Sequence, residues 1–230
     1  MKMLTWLSRV PLLFGLLLVA CGTEDAADAT PDPLDLLAEA ADRMEEVEAF
    51  AFLLEHEGGT TTIVGGLGME QAEGHVAARD RLQAAVRGRV GPLAVNVQLI
   101  ILPEGAWMTN PLTAQWEPQD LSIAQFFDPA TGVTAVMRGI AEAQLAGNES
   151  IDGSNTHIVE GMVDSGALAL LVPGVVPGRE LRIRTWIDEA DAVVRRIEIV
   201  GPLEDGDSPD LLRRLTLSNF GGDFTVTAPQ

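Results

Sequence analysis

The spacing of apolar residues predicts one opening helix followed mainly by strands. From residue 34 to residue 47, apolar residues recur at helical spacing and lie opposite a face of acidic residues. Asp32 can cap this helix, and Pro33 suits its first position. After residue 48 the period falls to two, which is typical of strands with one buried face. The pattern therefore predicts an amphipathic helix packed against a mostly antiparallel sheet.

The predicted strands are separated by glycine, proline and acidic turns. Gly58 and Gly59 are predicted to turn the first pair of strands, and Gly91-Pro92 breaks the longest hairpin. Near the end, Leu181 and Ile183 face one side of a strand, whereas Arg182 faces the other. The predicted strands are residues 49–58, 60–66, 82–90, 94–102, 105–109, a short one at 151, 157–163, 180–187, 192–200, 212–220 and 224–228.

The centre of the chain returns to a helical pattern. Asp128-Pro129 opens a helix within residues 121–146, with Gly147 beyond its end. A second apolar helical segment covers residues 165–172 and stops at Pro173. Helices and strands in this order predict an α+β fold, in which helices cover one side of a large curled sheet. The stripe of the first central helix consists of Val133, Val136, Met137 and Ile140.

The N-terminus has the features of an export signal. Lys2 and Arg9 precede an uncharged apolar run, which is shorter than the roughly 20 residues needed to cross a bilayer. The run ends in Leu18-Val19-Ala20-Cys21, and Cys21 is the single cysteine among 230 residues. This tetrapeptide resembles the lipobox of bacterial lipoproteins, in which the cysteine receives a diacylglycerol and becomes the mature N-terminus. The alternative is a free cysteine after a plain secretory signal.

These features divide the chain into three parts. We expect a lipoprotein signal peptide at residues 1–20, a lipidated Cys21 with a flexible acidic tether at 21–33, and one folded domain at 34–230. The tether has too few apolar residues to fold, and two acyl chains suffice for stable anchoring. The expected location is therefore the extracytoplasmic face of the cell membrane. Without a second cysteine, the domain has neither an internal disulfide nor a thiolate metal site.

Charge and motif content argue against several function classes. The net charge of −19 repels phosphate backbones, which argues against nucleic-acid binding. The sequence has neither an HExxH zinc motif nor a GxSxG esterase elbow, and its three histidines are expected to cap turns or face solvent. Gly65-Gly66-Leu67-Gly68 lacks the lysine of a phosphate loop and is interpreted as a bend. We therefore expect no enzyme activity, no metal and no cofactor.

Two further features leave alternatives open. The acidic loop at residues 201–207 fits either a surface turn or a calcium site. The arginines on predicted strands fit either cross-strand pairing with carboxylates on the outer face or contact with lipid phosphates at a cavity mouth.

A series of short motifs then points to a family. Trp116 precedes a short helix, Asp128-Pro129 and Thr131-Gly132 open the next one, and Ile151-Asp152-Gly153 precedes a strand. Thr185-Trp186-Ile187 and residues 215–220 continue the order towards the end of the chain. Together with Cys21, this order resembles the LppX/LprA/LprF/LprG family of bacterial lipoproteins. The resemblance covers most of the mature chain and is clearest from Trp116 onward.

The resemblance implies a fold similar to LolA and LolB: a strongly curved, unclosed antiparallel β-barrel with helices over its open face. It also implies an apolar cavity that holds the acyl chains of lipids or glycolipids, and a major-facilitator transporter as a partner. Small inward side chains leave room that aromatic residues would fill. We expect a monomer whose cavity is lined by Leu82, Ala84, Val86, Val95, Val97, Leu99, Ile101, Phe126, Phe127, Val133, Val136, Met137, Ile140, Leu168, Leu171 and Ile183.

The residues alone also allow an ordinary packed core. In that case the chain is an anchored structural or signalling module that acts through surface contacts and holds no ligand.

Overall fold

The computed structural model describes residues 30–128 and 132–229. Cys21, the signal peptide, and most of the tether lie outside the described residues, as do Pro129 and Thr131. In chain order the helices and strands are α1 (Pro33–Glu46), β1 (Phe50–Glu57), β2 (Thr61–Ile63), β3 (Leu67–Ala77), β4 (Arg81–Val90), β5 (Leu93–Leu102), β6 (Gly105–Thr109), β7 (Trp116–Gln119), α2 (Val133–Arg138), β8 (Ala141–Ile151), β9 (Ser154–Asp164), β10 (Glu180–Asp188), β11 (Val194–Val200) and β12 (Leu212–Ser218).

All twelve strands belong to one antiparallel sheet. Its hydrogen-bonded order is β7-β6-β5-β4-β3-β1-β12-β11-β10-β9-β8, and β2 pairs only with β3. Among the described residues, the two edge strands β7 and β8 do not pair with each other, so the barrel is unclosed. The architecture confirms the predicted α+β fold: a strongly curved antiparallel sheet with helices on its open face.

The first helix begins and ends as its sequence predicts. The Asp32 carboxylate accepts a hydrogen bond from the Leu34 N–H at 2.8 Å, and Pro33 occupies the first turn. Leu37, Ala40 and Ala41 form its buried face. None of the described helices is long and apolar enough to cross a membrane.

Because neighbouring strands are antiparallel, their connections gather at two opposite ends of the sheet. The loop end carries residues 58–66, 91–92, 110–115, 165–179 and 201–211. The helix end carries the turns at 78–80, 103–104, 152–153 and 189–193. Arg79, in one of these turns, donates to the Glu45 carbonyl of α1 and to the Phe127 carbonyl, which fastens three segments together at the helix end.

Two predictions about the first strands are wrong. β1 does not pair with β2; it lies between β3 and β12, and β2 pairs with the start of β3. Residues 67–77 form a strand that the sequence pattern did not indicate, because it contains glycine, glutamate and alanine and gains its structure from two neighbouring strands. The predicted bend over residues 65–68 is confirmed only in its first half: Val64–Gly66 form a 3₁₀ turn with Gly65 at φ 74°, whereas Leu67 and Gly68 begin β3.

The predicted helices in the centre are longer than the observed ones. α2 ends at Arg138, and residues 141–146 belong to β8 rather than to a helix, because pairing with β9 overrides their helical propensity. The segment predicted as a second helix contains only one 3₁₀ turn, Ser165–Leu168. Residues 224–228 pack against the sheet without joining it as a strand.

The helices cover only part of the sheet. α1, α2 and the Ser165–Leu168 turn share one apolar core with β9, β10 and β11. The opposite half, β1 and β3 to β6, has two smaller clusters on its inner face, and residues 121–127 pack on the one nearer the helix end. A third cluster lies on the outer face of β3, β5 and β6, against residues 224–226. In this half a side chain at Gly74 would overlap the Gln83 carbonyl, so glycine lets β3 and β4 approach closely and coil.

Candidate functional site

A single apolar row crosses eight strands on the face that the helices cover. Residues directly opposite each other in an antiparallel pair point to the same side, so the register identifies this inner face. Thr185 is the only polar member of the row. From β9 to β5 the row is Val159, Thr185, Ile197, Leu215, Leu54, Ala72, Val86 and Val97.

The middle of the inner face is less covered than its two sides. Val159 and Val97, at the two ends of the row, are both 1% exposed, whereas Leu54 and Leu215 on the central strands are only half-buried. Neighbouring apolar side chains on β1, β4 and β5 are half-buried as well. We call this region the central trough: Phe50, Phe52, Leu54, Leu82, Leu99 and Leu215.

The residues predicted to line a cavity fall into two groups. Those on the helical segments join the core on β9–β11, where Met137 is 1% and Ile183 2% exposed. This group holds Val133, Val136, Met137, Ile140, Leu168, Leu171 and Ile183.

The second group lies across the sheet, on β4, β5 and the 121–127 segment. Val86, Val95 and Val97 pack together with β3, whereas Leu82, Leu99, Ile101 and Phe127 belong to the cluster nearer the helix end. Ala84 is buried opposite Gly74 and Leu99. The side chain of Phe126 lies outside the described part of the structure.

The central trough itself includes residues that sequence reasoning missed. Phe50, Phe52 and Leu54 alternate along β1, a strand that was predicted without an assignment of its faces. The additional Leu53 on the outer face hides the alternation. Leu215 could be assigned only from its pairing with Leu54, which is a long-range contact.

At the loop end, the trough stops at a hydrogen-bonded polar network. Arg213, 7% exposed, donates to Thr61 Oγ1, to the Gly201 carbonyl and to Asp207 Oδ2 at 2.8–2.9 Å. His56, which pairs with Arg213 across β1 and β12, contacts Thr61 Oγ1 at 2.8 Å and the Glu70 carbonyl at 3.2 Å. If His56 is neutral, its Nδ1–H donates to the Glu70 carbonyl and its Nε2 accepts from the Thr61 hydroxyl. With this tautomer, the hydrogen bonds of His56, Thr61 and Arg213 are mutually compatible.

Burial and hydrogen bonding shift the pKa values of the two titratable groups His56 and Asp207 in this network. Burial lowers the pKa of His56, and the nearby positive charge of Arg213 lowers it further. Burial acts to raise the pKa of Asp207, but hydrogen bonds from the Glu204 and Leu203 N–H groups and from Arg213 outweigh it, so this pKa lies below its ordinary value. The acidic loop is thus a turn whose Asp207 carboxylate is committed to the fold.

Arginines on the outer face mostly pair with carboxylates. Arg184 contacts Glu160 directly opposite it, and Arg214 contacts both Glu198 and Glu57. These contacts agree with the structural interpretation of the arginines. The prediction that the histidines cap turns or face solvent is wrong for His56, which is bonded on the inner face, and for His75, which stacks on Phe224 with ring centroids 4.7 Å apart.

Two surface cavities lie at the helix end. One of about 320 Å³ is lined by Gly153, Ser154, Asn155 and Asp188 to Ala190, and a second of about 280 Å³ lies between the start of α1 and the same turn. The Asp188 carboxylate already accepts from the Ala190 N–H and pairs with Arg195 at 2.8 Å. Their polar walls do not suit an acyl chain. The described residues also contain no group of three or more His, Cys, Asp or Glu side chains that could hold a metal ion.

Comparison with known sequences decides the family. A family profile described as LppX_LprAFG lipoprotein matches residues 32–226. The chain belongs to this family. LprG of Mycolicibacterium smegmatis, named a lipoarabinomannan carrier protein, is 25% identical over 230 residues, which cover 93% of this chain and 90% of LprG. LppX of Mycobacterium tuberculosis is 34% identical over 68 residues, but that match spans only 28% of its length.

Solved structures of family members share the fold. LprF from Mycobacterium bovis aligns with a TM-score of 0.69 at 18% identity and covers 87% of this chain and 98% of LprF. LppX from Mycobacterium tuberculosis aligns with a TM-score of 0.63 at 20% identity and covers 86% of this chain and all of LppX. At such identities the likeness concerns the fold alone, and it confirms the open curved sheet expected from the resemblance.

Proposed function

We propose that this lipoprotein binds the acyl chains of a lipid or glycolipid along the central trough and carries them at or between membranes. The observation that supports it is the continuous apolar row, which is half-buried at Leu54 and Leu215 and tightly packed on both sides. Each methylene removed from water contributes about 0.8 kcal/mol, so long chains bind without a specific polar contact. The name of LprG, a carrier of a glycolipid, agrees with this function.

The proposed mechanism is shielding without catalysis. Acyl chains lie against β1 and β12, between the helix-covered core and the clusters on β3 to β6, while the polar head stays in water. Their entry requires the 121–127 segment or the helices to shift, because Leu121, Ile123 and Phe127 pack on the helix end of the trough. Such a shift is a change of population that a ligand or a docking partner drives.

Cys21 completes the proposal. Its lipidation would hold the domain at the extracytoplasmic face of the cell membrane, within reach of its cargo. A major-facilitator transporter that delivers or accepts the lipid is the proposed partner, and the carrier works as a monomer with no cofactor.

A pair of adjacent leucines provides the test. Leu54 faces the trough, and Leu53, its neighbour on β1, pairs with Thr216 and Glu73 on the outer face. We would purify the full chain from a host that processes lipoproteins, identify co-purified lipid by native mass spectrometry, and titrate a fluorescent fatty acid. We expect L54E to lose the lipid and the saturable uptake, because the trough then contains a charge, and L53E to keep both. Absence of lipid and of uptake in the unmodified protein would refute the proposal.

The solid-core interaction module is the second candidate. The near-complete burial of Val97 and Val86, at 1% and 4% exposure, favours it for the β3–β5 half. Replacing Leu215, a half-buried residue of the trough, with tryptophan separates the two functions. A space that accepts ligand would accommodate the ring and lose lipid uptake, whereas a solid core would lose about 1–3 kcal/mol of unfolding free energy.

A further inference from the structure

Exposed apolar side chains gather at the loop end of the sheet. Among the described residues, five large apolar side chains are exposed, and four of them lie at the loop end of the sheet. Two of these four, Val90 and Leu93, flank the two-residue turn of the β4–β5 hairpin and are 36% and 54% exposed. The other two, Leu112 and Leu170, lie on separate connections. The hairpin tip is therefore the one place where two such side chains adjoin in the described chain.

The charge of this hairpin is opposite to that of the whole chain. The chain has 34 acidic and 15 basic side chains, yet residues 81–103 contain three arginines and no Asp or Glu. Arg87 and Arg89 are exposed close to the tip, and Arg89 pairs with Glu70 at 2.8 Å. The adjoining segment 58–69 is uncharged. The hairpin tip therefore has exposed apolar side chains at its end and two exposed arginines close to them, on a protein that is acidic as a whole.

The backbone conformation makes the β4–β5 hairpin tip project from the rest of the molecule. Gly91, at φ 57°, occupies the first central position of a two-residue hairpin turn, and Pro92 stiffens the second. A side chain at Gly91 would meet no atom within 4 Å, and the same is true of Gly65 and Gly66 in the neighbouring 3₁₀ turn. The two turns therefore project into open space beside each other, since Gly68 at the start of β3 pairs with Arg89.

We propose that the β4–β5 hairpin tip docks on the surface of an anionic phospholipid bilayer. Val90, Pro92 and Leu93 enter the headgroup layer, and Arg87 and Arg89 bind lipid phosphates. Buried apolar area and attraction between basic residues and anionic lipids are the two contributions that bind peripheral segments to membranes. This contact is additional to the lipid anchor, and its purpose rests on the proposed carrier function: it would hold the β3–β5 side of the trough close to the bilayer that supplies or receives the lipid.

The expected strength makes the contact reversible. Each arginine near an anionic surface changes the ratio of docked to undocked protein by about fivefold. Two arginines and a small apolar tip therefore dock weakly in solution but effectively when an anchor already holds the domain nearby. Weak docking suits a carrier that must also leave the surface.

The test uses the lipidated full chain in vesicles. If Cys21 is acylated, an introduced cysteine is the only reactive thiol, so L93C can be labelled with an environment-sensitive fluorophore. E104C is the matched control, because it lies in the turn at the other end of β5. In phosphatidylcholine vesicles containing phosphatidylglycerol, we expect the L93C label to shift to shorter wavelength and to be quenched by lipid-borne quenchers. We expect no such change at residue 104 or in pure phosphatidylcholine. R87E and R89E should each reduce the docked ratio at least about fivefold.

Several results would overturn the docking proposal. They are equal responses at residues 93 and 104, a response that ignores phosphatidylglycerol, or a label already shielded without vesicles, as a second copy or a protein partner at the tip would produce. Fatty-acid uptake measured on the same samples separates the two proposals. Uptake without insertion refutes docking alone, and insertion without uptake supports docking while it refutes lipid carriage.

Discussion

The two halves of the sheet bury their inner faces in different ways. On β9 to β11, fifteen buried residues from strands, α1, α2 and the loops form one continuous core with large aliphatic side chains. On β1 and β3 to β6, no α-helix among the described residues shares the core, and the cluster nearer the loop end has only six buried members, including Ala72 and three valines. The same sheet therefore contains a solid scaffold and a thinly covered half.

Because of this difference, we expect the two halves to differ in rigidity and in their ability to admit a ligand. A core that is filled by helices resists deformation, because its side chains already interdigitate. The central strands β1 and β12, where Leu54 and Leu215 on the inner face are only half-buried, can admit a ligand at modest cost. The half-buried leucines on β1 and β12 lie along the boundary, which is where the trough is located.

The largest expected effect comes from the polar network at this boundary. R213M should lower the unfolding free energy by about 3–5 kcal/mol, because it leaves Asp207 without its buried partner and frees Thr61 of β2 from β12. R214M, the adjacent residue on the outer face, should cost about 1 kcal/mol or less. Urea denaturation of both variants measures the difference. Equal losses would show that Arg213 does not join the two halves.

The next prediction compares one residue from each half. I183A should cost about 2–5 kcal/mol, because Ile183 is 2% exposed within the helix-covered core, and it should leave fatty-acid uptake unchanged. L54A should cost about 1 kcal/mol and weaken uptake, since Leu54 is half-buried in the trough. Denaturation and fatty-acid titration on the same samples check both. If I183A is still fully folded but takes up less fatty acid, the ligand binds under the helices instead of in the trough.

The coiling of the thinly covered half should depend on glycine. G74A should cost about 1–3 kcal/mol, because the added methyl group would overlap the Gln83 carbonyl and push β3 from β4. In G139A the methyl group would lie 3.4 Å from the Ala135 and Val136 carbonyls, so a smaller loss is expected. Thermal unfolding measures both variants. If G74A unfolds at the temperature of the unmodified protein, close approach at this position does not stabilise the curvature.

The smallest effect should be a local dependence on pH. The pKa of His56 in the folded protein lies below that in the unfolded chain, about 6.5. As the pH falls through and below that value, the unfolded state binds the proton first, so the contribution of His56 to stability is lost on acidification. The charges that face it are Arg213 and Asp207. H56Q should have a flatter dependence of melting temperature on pH.

Hydrogen exchange locates this effect. Acidification should lower the protection factors of the β2 amides in the unmodified protein, because Thr61 bonds to His56, and it should leave those of α1 unchanged. Uniform loosening of both segments, or an unchanged pH profile in H56Q, would contradict the assignment of the effect to the thinly covered half.

Local sequence signals predicted the elements whose structure depends on near neighbours. Asp32 and Pro33 fix the start of α1, and Gly91-Pro92 fixes the turn between β4 and β5. The errors occurred in segments whose secondary structure is determined by pairing with strands that are distant in sequence. Residues 141–146 read as helix because they contain Ala, Glu, Gln and Leu, and β3 contains too few β-branched residues to stand out.

The candidate site shows the same limit. Most predicted lining residues are buried, but the sequence could not separate those under the helices, such as Met137, from those on the opposite half, such as Val86. Periodicity identifies which side of an element is apolar, not what packs on it. It also missed Leu54 and Leu215, since their faces are defined only by the pairing of β1 with β12, residues far apart in the chain.

The sequence by itself determined the acidic composition and pointed to the family, because each is a local or compositional property, and the export signal and the anchor at Cys21 are predictions of the same kind. Only the tertiary structure decided that the sheet is covered unevenly, that Arg213 and His56 close one end of the trough, and that an acid-free hairpin projects from the loop end. The physical reason is that burial and exposure are set by contacts between strands distant in sequence, and an apolar pattern is compatible with more than one such arrangement.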